Sequence, residues 1–388
     1  MLNSLEIKNF RILEDFSVSK LGRVNLIVGK NNLGKSSVLE ALRIYAGNAQ
    51  RELLEQIAAG HDETYRLREN EQFESDIQLP FEDLFIGRQF PQDETLAISI
   101  GELPPGDDAL RIEHGFLIEE EVVVKNDLED IIKRNIRRRR MLNPSHDDLS
   151  SEAISHALFV TKGEHSSPPI QLDKYSRIRL PSRVEISGTL SCSVIPTQFI
   201  SVDDLADEWD KIVFTEHEEV VRQALQIITP EFENLTFVRN DDDNKYQRQR
   251  FRRFAKVKMS DSPYPVPLNS LGDGMLRVLQ LVLKIFPAKG GFLLIDEFEN
   301  GLHFSIQEKV WELLFEMAQK LDIQIFATTH SWDCIESFAN TAIARKDVEG
   351  VLFRVGRSVR KSDRGKVIAT VFDEVALYNI TQADVEVR

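Results

Sequence analysis

The chain has few cysteines, no apolar run long enough to cross a bilayer and no surplus of positive charge, and each lack removes a class of function. Its two cysteines, Cys192 and Cys334, have no partner spacing for zinc or redox work, so they read as ordinary thiols of a cytoplasmic protein. The opening Leu2-Asn3-Ser4-Leu5-Glu6 is not a basic segment followed by an apolar one, so no leader peptide is read there. Without a spanning run, no membrane partner is expected. Lys and Arg number 48 against 63 Asp and Glu, a formal charge of −15. The whole surface is therefore not built to coat a polyanion, and any nucleic-acid contact must be local. No internal repeat is visible. At 388 residues and 42% hydrophobic, the chain is able to bury a sizeable core as one elaborated domain or two lobes.

Against these absences stand two short motifs at opposite ends of the chain. Gly29–Ser36 reads G-x-x-x-x-G-K-S, after the apolar run Val24, Leu26, Ile27, Val28 and before Ser37-Val38-Leu39-Glu40-Ala41-Leu42, which has helical spacing. That context is strand, loop, helix. Gly29 and Gly34 let the backbone curl so that amides point at phosphate oxygens, and the new helix adds its positive end. The nucleotide-binding set read here is Gly29, Asn31, Asn32, Gly34, Lys35, Ser36 and Ser37. Lys35 is expected on the β/γ-phosphates and Ser36 on Mg²⁺. An ordinary Gly/Asn/Lys turn between strand and helix is the bland alternative.

The second motif, Phe292-Leu293-Leu294-Ile295-Asp296-Glu297, is a continuous apolar run ending in two acids. It suits a buried parallel strand that delivers carboxylates at its tip, where open α/β sheets bind ligands. Asp296 is the expected outer-sphere Mg²⁺ partner, and Glu297 the base or polariser for the attacking water. A strand followed by a solvated acidic turn is the competing reading. The long separation of the two motifs implies a large insertion between core strands, which favours an ABC-type ATPase over a ring ATPase.

Further parts fall in the matching order. Ser270-Leu271-Gly272-Asp273-Gly274 opens the apolar helical stretch Met275–Phe286 and resembles an S-x-G-x signature, in which a serine and a helix N-terminus serve nucleotide held by a second subunit; it is also a good turn and N-cap. Glu299-Asn300-Gly301-Leu302-His303 stands where ABC proteins carry a dimer-contacting D-loop, with His303 in place of the usual aspartate. A helix follows from about Ser305 to Lys320, then a strand Ile323–Ala327 and Thr328-Thr329-His330-Ser331. There His330 resembles the switch histidine that touches the γ-phosphate.

Together, Leu5-Glu6-Ile7-Lys8-Asn9-Phe10-Arg11, GKNNLGKSS, SLGDGMLR, FLLIDEFENGLH and FATTHS resemble the OLD-like branch of the SMC/RecF ATPases. The resemblance covers the two ends of the chain and matches the middle loosely. Asn32, where transporter loops usually carry glycine, fits this branch better than a transporter motor. It implies an α/β P-loop NTPase of the ABC-head type, a mostly parallel sheet plus an antiparallel lobe, with a compact α+β insertion. The expected division is an ATPase core at 1–50 and 265–388 and an insertion at 51–264. It further implies ATP and Mg²⁺ as ligands, a homodimer around composite ATP sites, and DNA-linked work in phage defence or repair. Arg11 sits where related heads carry a nucleotide-contacting basic residue. The Q-loop glutamine is not placed, Gln72 and Gln89 both being candidates.

Prolines from Pro80 to Pro196 exclude a long coiled-coil arm from the insertion. Leu96–Ile100 and Phe116–Val124 read as strands, and Val202 to Ile228 as one or two amphipathic helices with Trp209 in the core or against a partner helix. Two basic stretches, Lys133–Arg140 and Lys245–Phe254, are candidates for DNA contact, against the alternative of solvated faces or subunit contacts. Asp241-Asp242-Asp243 reads as a solvated loop and not a metal cluster. Relatives in this branch often append a Toprim nuclease, but the stretch after His330 is too short for one. There Val351–Val355 and Val367–Phe372 read as strands finishing the ATPase sheet and Asp373–Tyr378 as a helix. Two functional readings follow. One is an ATPase whose dimer closes on ATP and opens after hydrolysis. The other is a nucleotide-gated scaffold that controls a separate effector, such as a nuclease, with little turnover of its own.

Overall fold

Every residue of the strands Val24–Val28, Phe292–Ile295 and Gln324–Thr329 is buried, as strands covered on both faces require. In the computed structural model they lie in a six-stranded sheet ordered Cys192–Ile195, Phe292–Ile295, Gln324–Thr329, Val24–Val28, Gly350–Arg357, Val367–Phe372. The first five run parallel and only the last pair is antiparallel. The structure describes the chain except for residues 62–64, 67–76, 79, 92–95, 105, 107, 125–132, 142–153, 173–188, 240–252, 373–376 and 378–388.

The parallel register has a functional consequence. Thr329 pairs with Val28, Ala327 with Ile295, and Ile195 with Ile295. The loops that follow these strands therefore leave one edge of the sheet, although they are far apart in sequence. The helices Asp273–Ile285, Phe304–Lys320 and Trp332–Ala344 share a core with the sheet built around Met275, Leu279, Trp311, Phe315 and Phe338. Two amphipathic helices, Val202–Ile212 and His217–Gln226, join the same core through Leu205, Trp209, Val221 and Leu225. Ser201 caps the first by accepting the Asp204 N–H at 3.1 Å, and Asp203 and Asp204 in its first turn complement the helix dipole. The hairpin Phe232–Arg239 with Arg253–Met259 packs there too.

Chain contacts divide the molecule into two units: Met1–Ser4, Val18–Leu39 and Leu190–Arg388 form the first, and Leu5–Ser17 with Glu40–Thr189 the second. The second is built on an antiparallel sheet in which Leu110–Val124 is the long central strand. Its first residues, Leu110–Ile112, pair with Ile98–Ile100 and its later residues, Phe116–Val124, with Lys133–Met141, while Ile154–Lys162 pairs along Leu110–Ile118. Leu5–Phe10 extends this sheet by pairing with Ile98–Gly101.

The partition differs from the expected division. Cys192–Ile195, the two amphipathic helices and the Phe232–Met259 hairpin belong with the parallel sheet, whereas Leu5–Ser17 belongs with the antiparallel one. A four-residue strand such as Cys192–Ile195 is too short to carry a periodicity, and only its pairing with Phe292–Ile295 reveals its place. The basic stretch Lys133–Arg140 is a strand of the antiparallel sheet. Asp241-Asp242-Asp243 and most of the second basic stretch and of Asp373–Tyr378 lie outside the described residues. Among the described residues, no helix is long and apolar enough to cross a membrane.

Candidate functional site

The phosphate loop leaves the sheet after Val28. Gly29 has φ 146° and a Cβ there would meet the Val355 carbonyl oxygen at 2.3 Å, so no other residue fits. Asn32 at φ 60° and Gly34 at φ 97° complete the curl, and the helix Lys35–Ala46 begins at once. Lys35 is buried, its Nζ donating to the carbonyls of Gly29 at 2.6 Å and Lys30 at 3.2 Å. The loop thus wraps its own lysine. Burial pushes the Lys35 pKa below its ordinary value, opposed by the negative charges of Asp296, Glu297 and Glu299. Asn31, Asn32 and Ser36 are exposed, and Ser37 is half-buried.

The acids follow Ile295 on the same edge. Both oxygens of Asp296 are occupied, accepting from Thr328 Oγ1 at 2.7 Å and Thr197 Oγ1 at 3.0 Å. Glu297 lies in the left-handed region at φ 48°, an uncommon position for a non-glycine residue that its surroundings must enforce. They do so from three sides. The Glu297 N–H donates to Thr328 Oγ1 at 2.9 Å, its carbonyl accepts from Arg277 at 2.7 Å, and the next residue, Phe298, is fully buried and stacks on Trp311 at 3.9 Å.

Glu299 faces the switch position. Its Oε1 accepts the backbone N–H of His330 at 3.0 Å and lies 3.1 Å from His330 Nδ1, while Glu297 Oε1 is 3.8 Å from the same nitrogen. Two carboxylates thus face the Nδ1 side of the ring. The His330 side chain is about half exposed.

Ser270 and Gly272 lie just before the helix Asp273–Ile285. Ser270 is exposed, with its hydroxyl donating to the Pro267 carbonyl at 2.6 Å, and a Cβ on Gly272 would meet open space. The signature is therefore displayed outward. His303 caps the helix Phe304–Lys320, its Nδ1 accepting the Ser305 N–H at 3.4 Å. In the second unit, Arg11 has φ 51° and pairs with Glu40 at 2.8 Å; Glu40 also meets His61.

The donor set fits a divalent cation. Asp296 is held in place by two hydroxyls, which suits a carboxylate acting through water, and the exposed Ser36 hydroxyl at the start of the phosphate-loop helix is available as a direct ligand. A divalent cation such as Mg²⁺, held there, would supply charge neutralisation.

Five residues were given no role by the sequence reading. Thr328 and Thr197 hold Asp296, Glu299 holds His330, and Arg277 holds the acid turn. The fifth is Gln198, exposed one residue after Thr197 on the loop beyond Cys192–Ile195. That loop is tied to the acid turn by Asn300 Nδ2 donating to the Thr197 carbonyl at 2.5 Å. The signal for Arg277 was present, a charge set among apolar residues well inside the helix, whereas Asp273 and Lys284 lie in its first and last turns. Of the earlier glutamine candidates, Gln72 lies outside the described residues and Gln89 is exposed in the second unit.

Residues 24–333 match the family described as “AAA domain, putative AbiEii toxin, Type IV TA system”. The chain is 24% identical over 371 residues to a protein of Helicobacter pylori called ATP/GTP phosphatase, covering 89% of this chain and 90% of that one. It is 25% identical over 365 residues to the OLD nuclease of Thermus scotoductus, covering 89% of this chain and 62% of the nuclease. Among solved structures, an Smc head bound to the C-winged helix domain of ScpA matches with a TM-score of 0.46 and 14% identity, over 96% of this chain and 97% of that one. The family match takes in the phosphate loop, the signature, the acid pair and His330: this chain belongs to that AAA-domain family, as an ABC-type ATPase of the SMC/RecF/OLD-like group.

Proposed function

We propose that the protein hydrolyses the β–γ phosphoanhydride of ATP in a homodimer that closes around two nucleotides. The observation that carries this reading is the gathering of Lys35, Asp296, Glu297 and His330 at the carboxyl edge of one parallel sheet, while Ser270 and Gly272 face outward. Each nucleotide would rest on one chain's phosphate loop and be covered by the other chain's signature. Glu297 orients water for in-line attack on the γ-phosphate, Lys35 takes up charge on the transferring group, and Ser36 and Asp296 hold the cation. Glu299 keeps His330 turned toward the γ-phosphate. Gln198, on the loop next to Asp296, takes the place of the Q-loop glutamine. The Helicobacter pylori relative is named for both ATP and GTP, so the two nucleotides should be compared directly.

Glu297→Gln tests the chemistry. Single-turnover hydrolysis should fall about 10²–10⁴-fold, and the variant should accumulate as an ATP-bound dimer in sizing chromatography or mass photometry. An unchanged rate removes Glu297 from its role, and a protein that stays monomeric with ATP removes the composite site.

A second reading, a nucleotide-gated scaffold that controls a separate nuclease, is favoured by one fact: the match to the OLD nuclease takes in only 62% of that protein, so the nuclease named there need not reside in this chain. Co-purification with a nuclease, and slow turnover by the isolated chain, would support it. We place the work of either form in DNA-linked processes such as phage defence or repair. Two arginines of the basic stretches already have carboxylate partners. Arg140 pairs with Glu113 at 2.8 Å, and Arg253 pairs with Asp210 at 2.7 Å. DNA-stimulated hydrolysis with steep salt dependence is the measurement that tests direct contact.

A further inference from the structure

Arg277 is fully buried, and none of its described hydrogen bonds goes to a carboxylate. One Nη donates to the Pro196 carbonyl at 3.0 Å; the other donates to the carbonyls of Asp296 at 2.9 Å and Glu297 at 2.7 Å. The three acceptors come from two loops at the carboxyl edge of the sheet. Here regular pairing has ended: the Asp296 N–H still bonds the Ile195 carbonyl, but the chain then turns through the left-handed Glu297. Burying a guanidinium is unfavourable, and burial pushes this one down to about 10 despite the nearby charges of Glu299, Asp296 and Glu297. A planar fork of donors is what can satisfy several carbonyls in a dry turn. An apolar residue would pack in the same helix but leave those acceptors unmade. Arg277 also stands one turn into the helix opened by the signature, four residues beyond Asp273.

We propose that Arg277 is a positioning residue for hydrolysis: from the signature helix it holds the backbone of Asp296 and Glu297 in the turn that aims the Glu297 carboxylate. The inference rests on the reading of Glu297 as the water-orienting acid. It makes a donor on a separate element one of the contacts that hold the left-handed turn at Glu297.

The experiment compares Arg277→Gln, Arg277→Lys, Glu297→Gln and the double variant Arg277→Gln/Glu297→Gln. ATP affinity, single-turnover rate and thermal unfolding are measured for each. Arg277→Gln is expected to bind ATP within about twofold of the parent while hydrolysing it about 10²-fold more slowly, the loss typical of a misplaced catalytic group. Arg277→Lys, which keeps the charge but not the fork, should recover part of the rate. The double variant should be no slower than Glu297→Gln alone, because the arginine acts through the glutamate. An unchanged rate in Arg277→Gln, or losses that multiply in the double variant, overturns the proposal. Unfolding of both Arg277 variants also overturns it, by making the residue a structural one. A normal rate in Glu297→Gln defeats the reading of Glu297 and the proposal with it, whereas a slow Glu297→Gln beside a normal Arg277→Gln defeats the proposal alone.

Discussion

The central strands of the two units are used in opposite ways. In the first, Val24–Val28, Phe292–Ile295 and Gln324–Thr329 are buried throughout and lie parallel. In the second, strands such as Ile154–Lys162 mix buried with half-buried positions and pair antiparallel. Parallel pairing sends the end of every strand to the same edge, so loops distant in sequence meet there. Antiparallel pairing sends neighbouring ends to opposite edges, and the turns that join them are local. The difference explains why Lys35, Asp296 and His330 all follow strands of the parallel sheet.

If the chemistry belongs to the parallel unit, substitutions there should dominate activity. The largest effect is expected from Lys35→Ala, which removes the buried amine of the phosphate loop: kcat should fall about 10²–10³-fold, with nucleotide affinity reduced as well, both read by ATP titration and phosphate release. Gly29→Ala should come next. Its Cβ has no room beside the Val355 carbonyl, so the loop must shift, nucleotide binding should be lost, and Tm should fall by about 2–4 °C for each kcal/mol of strain. Thr328→Val keeps the shape but deletes the hydroxyl shared by Asp296 and the Glu297 N–H. The unmade bonds should destabilise by about 1–3 kcal/mol in denaturant titration, and kcat should fall about tenfold, equivalent to about 1.4 kcal/mol of transition-state stabilisation.

The smallest effect sharpens the comparison from the other side. Arg140→Ala, in the antiparallel unit, removes a part-exposed pair with Glu113 and a cation–π contact with Phe159 at 4.6 Å. It should cost about 1 kcal/mol or less and leave basal ATP turnover unchanged. A large loss of basal turnover would mean that the antiparallel unit takes part in the chemistry.

How much was legible in advance followed the same line. The phosphate loop, the acid strand and His330 could be read because each is a short motif attached to a continuous apolar run, and the chemistry demands those residue types in that order. The helices Val202–Ile212 and His217–Gln226 were legible from their apolar spacing. The unit boundary was not, because Leu5–Ser17 and Cys192–Ile195 are assigned by their pairing partners. The role proposed for Gln198 was out of reach for the same reason: it arises only once Cys192–Ile195 is seen beside the acid strand. Thr197, Thr328 and Glu299 are ordinary polar residues until their hydrogen bonds to Asp296 and His330 are known.

The sequence by itself determined the ingredients of the candidate site: a glycine-and-lysine loop between a strand and a helix, two acids on an apolar strand, and a histidine after another. Tertiary structure alone decided how those ingredients are aimed. The left-handed turn at Glu297, the clasp of Glu299 on His330 and the grip of Arg277 on the acid turn each join residues that lie on different elements. Such contacts are set by strand order and register, and a linear pattern of residue types does not encode which strand will lie beside which.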